Sequence, residues 1–222
     1  MSIYRDRIGH LPTEKKIALF PFGLQIESIN SKVARNLIRG EFGISDEFII
    51  GTAARIDRIK RIERIIQAFS LLPDKESFRL LIIGDGDNAY LNELLASVNK
   101  EKLGDYIRFT GFRADAVDVI NALDFFVLPS RNETFGLALL EAMALGVPCA
   151  VFGDAGGARD IIGDAGFVVD TPAQISEIIV KLNNGQFEKD RISSNLRRRA
   201  KELDIEGTAD RFYGYYKRLV RS

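Results

Sequence analysis

Short, almost wholly apolar runs alternate along the chain with segments whose apolar residues recur every three or four positions. The runs fall at 17–22, 49–54, 79–83, 106–110, 125–129, 148–152 and 166–169. Several lack the apolar–polar alternation of a half-exposed strand, as expected of strands covered on both faces. Between them, Ile62, Ile65, Ile66, Phe69 and Leu72 share one helical face, as do Leu91, Leu94, Leu95 and Val98, and Leu137, Leu140 and Met143. Strand and helix in alternation, joined by short Gly- or Asp-bearing turns, predict an α/β fold with a doubly wound parallel sheet. In such sheets ligands bind beyond the carboxyl ends of the strands. After Asp170 the pattern becomes helical, over 172–183, 189–203 and 207–221. The last of these helices carries Phe212, Tyr213, Tyr215, Tyr216 and Leu219 on more than one face. That is either a surface docked on its own domain or one that wants a partner domain. Residues 1–16 read as a lead-in and 17–222 as one domain.

Composition narrows the function classes. Lys+Arg and Asp+Glu each number 31, so the formal net charge is zero, which argues against a broad nucleic-acid surface. The basic cluster Arg197-Arg198-Arg199 reads as a solvated helix face. The single cysteine, Cys149, lies in an apolar run and reads as a small core residue. His10 has no second histidine with which to build a metal or triad site. No signal peptide and no bilayer-length apolar run stands out, so the expected compartment is the cytoplasm.

The richest chemistry lies in RNETFGLALLEAMALGVP, residues 131–148. Glu133 and Glu141 stand eight residues apart, and Phe135-Gly136 opens a helix between them. Free N–H groups and the helix dipole favour an anion at such a start, and Gly136 permits close backbone approach. Glu141 lies about a turn and a half along, where a carboxylate can accept from a vicinal diol such as ribose. Glu133 can accept from a sugar hydroxyl or simply cap the helix. Arg55 follows a strand and Lys60 precedes a helix, a cationic mouth suited to a diphosphate; taken alone, both are also ordinary surface charges. Gly153 to Gly157 form a third, glycine-rich turn that lets backbone approach a sugar or phosphate, or is merely tight.

Taken together, these motifs resemble glycosyltransferase family four, the large retaining family of the GT-B fold, from about Ile17 to the C-terminus. The matching elements are Arg55 to Lys60, Gly84-Asp85-Gly86, Phe109-Thr110-Gly111, the Pro-Ser and Glu-x7-Glu block from Pro129 to Pro148, and Gly156-Gly157. The Glu-x7-Glu block is the specific part; the others gain weight from order and spacing. Arg61 stands where relatives carry glycine, Asp160 where glutamate is common, and Phe22 where an asparagine is usual.

The resemblance implies a Rossmann-like donor-binding domain. Arg55, Lys60 and Glu133 would be the catalytic groups, with the two cations on the donor diphosphate and Glu133 on donor-sugar hydroxyls. Thr134, Phe135, Gly136 and Leu137 would contact phosphate and sugar, and Glu141 the ribose. Gly84, Gly111, Phe112 and Arg113 would complete the nucleotide site. Cations and amides would neutralise the developing charge in place of a metal, with no cofactor beyond the nucleoside diphosphate sugar itself. A whole enzyme of this kind has an N-terminal, acceptor-binding domain, which this chain is expected to lack. The last helix, 203–222, would then pack on that domain, and this chain alone would bind donor weakly and transfer little. The acceptor would be a saccharide or lipid-linked, the latter with peripheral association at the inner face of a membrane.

Three other readings compete. Gly84 to Ala89 matches G-x-G-x-x-A, the dinucleotide fingerprint, but a strand–helix unit precedes it and the acidic residue ending the next strand is missing. Asp85-Gly86-Asp87 matches the Asp-x-Asp metal motif of the other main glycosyltransferase fold. A non-catalytic nucleotide-sugar-binding module of a larger assembly is the third.

Overall fold

The computed structural model of this chain describes residues 23–220. The lead-in at 1–16 and the strand expected at 17–22 lie outside the described residues, as do the side chains of 219 and 220. Six strands form one sheet: β1 (Phe48–Ala53), β2 (Phe78–Ile83), β3 (Ile107–Gly111), β4 (Phe125–Leu128), β5 (Cys149–Phe152) and β6 (Phe167–Val169). Their order is β3-β2-β1-β4-β5-β6 and every pairing is parallel. The helices are α1 (Arg35–Glu41), α2 (Glu63–Ser70), α3 (Asn88–Lys100), α4 (Ala116–Asn121), α5 (Leu137–Leu145), α6 (Gly157–Ile162), α7 (Pro172–Asn183), α8 (Lys189–Lys201) and α9 (Ile205–Val220). The doubly wound α/β architecture expected from the sequence is present.

Successive strand residues feed opposite faces. Ile49, Leu81, Phe126 and Leu128 join a core with α5 and α8, whereas Ile50, Leu80, Phe125 and Val127 join another with α2, α3 and α7. Both faces are covered, hence the unbroken apolar runs.

Two expected stripes are corrected. Leu94 and Val98 are buried on α3, but Leu95 is 37% exposed, and Tyr90 occupies the core position one turn earlier. On α5, Leu140 and Met143 are fully buried, but so are Leu139 and Ala142, while Leu137 is 44% exposed. Packed between the sheet and α8, this helix is buried around most of its girth and emerges only at its start. Helices α1 and α4 escaped the pattern because each is short and neither has a side-chain cap.

Helix ends explain other departures. Arg197 and Arg199, expected on a solvated face, donate to the carbonyls of Leu145 and of Asp160 and Ile161, near the ends of α5 and α6. Terminal helix carbonyls lack intrahelical partners, and the guanidinium groups supply them. Helix α9 starts two residues earlier than expected because the Asp204 carboxylate accepts from Glu206 N–H at 2.8 Å and from Ile26 N–H at 2.9 Å. Phe212, Tyr213 and Tyr216 on that helix remain more than half exposed. Cys149 is buried, as expected, and burial pushes its thiol well up. Among the described residues no helix is long and apolar enough to cross a membrane.

Candidate nucleotide-sugar site

Strand order reverses between β1 and β4, so a crevice opens beyond their carboxyl ends. A hollow of about 340 Å³ lies there. Ala53 and Ala54 leaving β1, Leu128 ending β4, Lys60 and residues 133–138 line it.

The Lys60 side is built by the loop after β1. The Asp57 carboxylate caps a 3-10 turn (Arg58–Lys60), accepting from Ile59 N–H at 3.0 Å. That bond, reinforced by Arg55, lowers the Asp57 pKa. The loop is fastened to the end of β2: Ile56 N–H donates to Asp85 O at 2.7 Å and Asp87 N–H to Ile56 O at 2.8 Å. Such contact requires Gly84 and Gly86, because a Cβ there would sit 2.1 Å from Ala54 O and 2.3 Å from Ile56 O. These two glycines, which the dinucleotide fingerprint would turn toward a pyrophosphate, are filled by the protein's own backbone. Asp87, the second acid of the Asp-x-Asp match, caps α3 by accepting from Tyr90 N–H at 3.0 Å.

Arg61 closes the turn in the left-handed region, at φ 52° and ψ 41°. A side chain there costs roughly 1–2 kcal/mol, which is why glycine would suit the position better. Arg61→Gly is therefore expected to stabilise the domain by about 0.5–1 kcal/mol, after glycine's own entropic cost; urea denaturation measures it.

The Glu133 side is built by the loop after β4. Asn132 N–H donates to Asp154 O at 2.9 Å and Gly157 N–H to Glu133 O at 2.8 Å. A Cβ at Gly157 would lie 2.1 Å from Thr134 O, and one at Gly156 2.8 Å from Glu133 O. The glycine-rich turn thus admits a neighbouring loop rather than exposing itself to a ligand. Arg64 holds Asp154 through both carboxylate oxygens at 2.7 Å, which lowers the Asp154 pKa. The two halves are joined where Arg131 N–H donates to Ile59 O at 3.1 Å. Gly136, at φ 89°, turns the chain into α5, which opens without a side-chain cap. Its first amides therefore face the hollow without an intrahelical acceptor.

Lys60 Nζ lies 2.6 Å from Glu133 Oε2, with the side chains 23% and 15% exposed. The structure thus brings Lys60, Glu133 and residues 134–137 together around one hollow. Arg55 follows the lining residue Ala54 but does not itself line the hollow; it is 71% exposed and paired with Asp57 at 2.7 Å. Glu141 is half-buried, and among the described residues no ion pair or hydrogen bond engages it; burial raises its pKa. It follows the lining residues Leu137 and Ala138 by four and three positions, which places it on their face of α5 one turn along.

The remaining candidates do not line the hollow. Gly84 is walled in by Ala54, and its N–H donates to Gly111 O at 2.9 Å. Gly111 ends β3 and Phe112 follows it, two strands away from β1, with Phe112 74% exposed. Arg113 forks to Glu41 and Asp115, which raise its pKa in that order. Unforeseen were the small walls Ala53, Ala54 and Ala138, and the Arg64–Asp154 buttress. The walls were findable as strand-end and helix-start positions of a doubly wound sheet. The buttress, 90 residues apart in sequence, had no local signal.

A doubly wound sheet with cation, carboxylate and free helix amides at its switch point defines the Rossmann-like domain of the GT-B class. Residues 34–202 match the family described as glycosyl transferases group 1, and the chain belongs to it. N-acetyl-alpha-D-glucosaminyl L-malate synthase of Bacillus anthracis is 31% identical over 175 residues, 76% of this chain and 44% of that protein. The chain thus spans about half the length of such relatives. The C-terminal domain of the group 1 glycosyl transferase LpcC of Francisella tularensis superposes with a TM-score of 0.70 at 25% identity, covering 81% of this chain and 97% of that one. Anabaena Alr3699/HepE, solved in complex with UDP-glucose, superposes with a TM-score of 0.83 at 22% identity, covering 95% of this chain and 60% of that one.

Proposed function

We propose that this chain is the donor-binding half of a retaining glycosyltransferase, moving a hexosyl unit from a nucleoside diphosphate sugar to a saccharide or lipid-linked acceptor. The observation that carries it is the meeting of Lys60 and Glu133 before the uncapped start of α5, at the β1/β4 switch point. Lys60 and the α5 amides take the diphosphate and stabilise the charge that grows on it as the sugar departs. Arg55 swings from Asp57 to the outer phosphate; Glu133 receives sugar hydroxyls and Glu141 the ribose diol. No divalent ion or cofactor enters this account. HepE, whose structures carry UDP and UDP-glucose, supports a nucleotide sugar as ligand. An N-terminal domain, seated on the exposed aromatics of α9, would supply the acceptor site, and the cytoplasmic face of a membrane is the setting a lipid-linked acceptor implies.

A thermal-shift panel of UDP, GDP, ADP and their glucose esters tests this. A ligand at 100 times its dissociation constant adds about 2.7 kcal/mol, or roughly 5–10 °C in Tm for a domain of this size. No shift with any of them would reject the proposal.

Glu141 yields a prediction of opposite signs. Its folded pKa is raised, so the fold loses stability as pH climbs from the ordinary glutamate value through the raised one, and the loss persists above it. Glu141→Gln should remove that slope and lift Tm at pH 7 by about 1–3 °C. Nucleotide affinity should fall about tenfold with the loss of a charge-assisted bond. Melting curves across pH, with and without ligand, read both effects.

A further inference from the structure

Lys60 serves two masters in the proposed chemistry. The structure gives its ammonium to Glu133 at 2.6 Å, inside the hollow and mostly out of water. A diphosphate entering that hollow competes for the same ammonium. Lysine has three donors and can bridge both, but the Glu133 carboxylate then faces a phosphate of like charge in a site where water screens poorly. What relieves this conflict is a hydroxyl donor. A sugar ester brings several, and it also blocks the terminal phosphate. A free nucleoside diphosphate brings none at that point, and its unblocked terminal phosphate carries about one more negative charge near pH 7, given a second phosphate pKa near 6.

We infer that Glu133 is the element that discriminates the sugar-bearing nucleotide from the sugarless one: its carboxylate accepts from donor hydroxyls, but repels a bare diphosphate and reclaims Lys60 from it. The inference rests on the donor-site proposal above and goes beyond it, because it assigns Glu133 a role after transfer, in expelling the spent nucleotide. The geometry favours fast recapture. Glu133 is fixed by its own carbonyl, which accepts from Gly157 N–H at 2.8 Å, and the Lys60 loop is tied to the neighbouring chain through Arg131 N–H and Ile59 O at 3.1 Å. Neither residue needs backbone motion to re-form the pair. Arg55 has no such competitor inside the hollow: its partner Asp57 lies in its own loop, and its side chain is 71% exposed.

The test is the ratio of two affinities, measured by calorimetry on the full chain for UDP, GDP and ADP, each against its glucose ester. Glu133→Gln should tighten the free diphosphate by about tenfold or more, while the ester changes little or weakens. The ratio would then move toward the sugarless nucleotide. Glu133→Asp keeps the charge with shorter reach and should fall between. It also serves where the glutamine variant loses its far-UV circular dichroism. Equal changes in both affinities, or none, would overturn the inference and leave the donor site standing. Failure of the wild-type chain to bind any of the six ligands would overturn both.

Discussion

Lys60→Ala should abolish most donor binding, weakening the best nucleotide sugar by about 10- to 150-fold. The range is that of one lost charge-assisted hydrogen bond, roughly 1.5–3 kcal/mol, at 1.4 kcal/mol per tenfold. The upper part is expected here, because the substitution also leaves Glu133 without its only ion-pair partner among the described residues, 15% exposed and facing the proposed phosphate site. Arg64, which buttresses the same loop, is committed to Asp154. Removing one partner of a poorly hydrated pair exposes the full cost of the other. Lys60→Ala with Glu133→Gln should therefore bind free diphosphate better than Lys60→Ala alone. Calorimetric titration of the four members of this double-mutant cycle gives the coupling. Additive effects would mean that the pair does not act as a unit. Lys60→Arg should recover only part of the affinity, since a planar fork does not reproduce a point charge.

Gly157→Ala should lower stability and donor affinity together, although it touches no ligand. The added methyl would sit 2.1 Å from Thr134 O, and backbone cannot yield as a flexible side chain can. Either α6 or the loop carrying Glu133 and Thr134 must shift. Overpacking of this kind costs about 1–3 kcal/mol, roughly 2–12 °C in Tm here. A shift of the loop carries Glu133 away from Lys60 and tilts the entry to α5, so affinity falls by more than the loss of one bond. Gly207→Ala is the control. Among the described residues nothing outside its own helix backbone lies within 4 Å of its Cβ position on α9, so alanine's higher helix propensity should raise stability instead. Thermal melts with and without ligand distinguish the two. Loss of stability in Gly157→Ala with affinity intact would show that α6 moves and the loop does not.

Much of the fold was legible in the sequence because burial on both faces of a parallel sheet leaves a strong local mark. The segments at 49–54, 125–129 and 148–152 announce β1, β4 and β5 to within a residue or so, and the helix expected from Pro172 is α7, whose Thr171–Gln174 capping box only the structure brought out. Short helices without caps did not announce themselves. Glu133, Gly136 and Lys60 were legible as chemistry, since charge beside a strand end and an uncapped helix start are local features. Their meeting at one site was expected only through the family resemblance, and the direct Lys60–Glu133 pair was not expected at all.

The chain by itself determined the sheet, the helices that flank it and the inventory of groups at the strand ends, because each is written in residues that are neighbours in sequence. Only the tertiary structure decided that Lys60 and Glu133, 73 residues apart, form a pair, that Gly84, Gly86 and Gly157 make room for backbone rather than ligand, and that Arg113 turns toward Glu41. The physical reason is strand order. Placing β1 beside β4 is a choice made by packing two cores at once, and that choice sets which loops share a crevice.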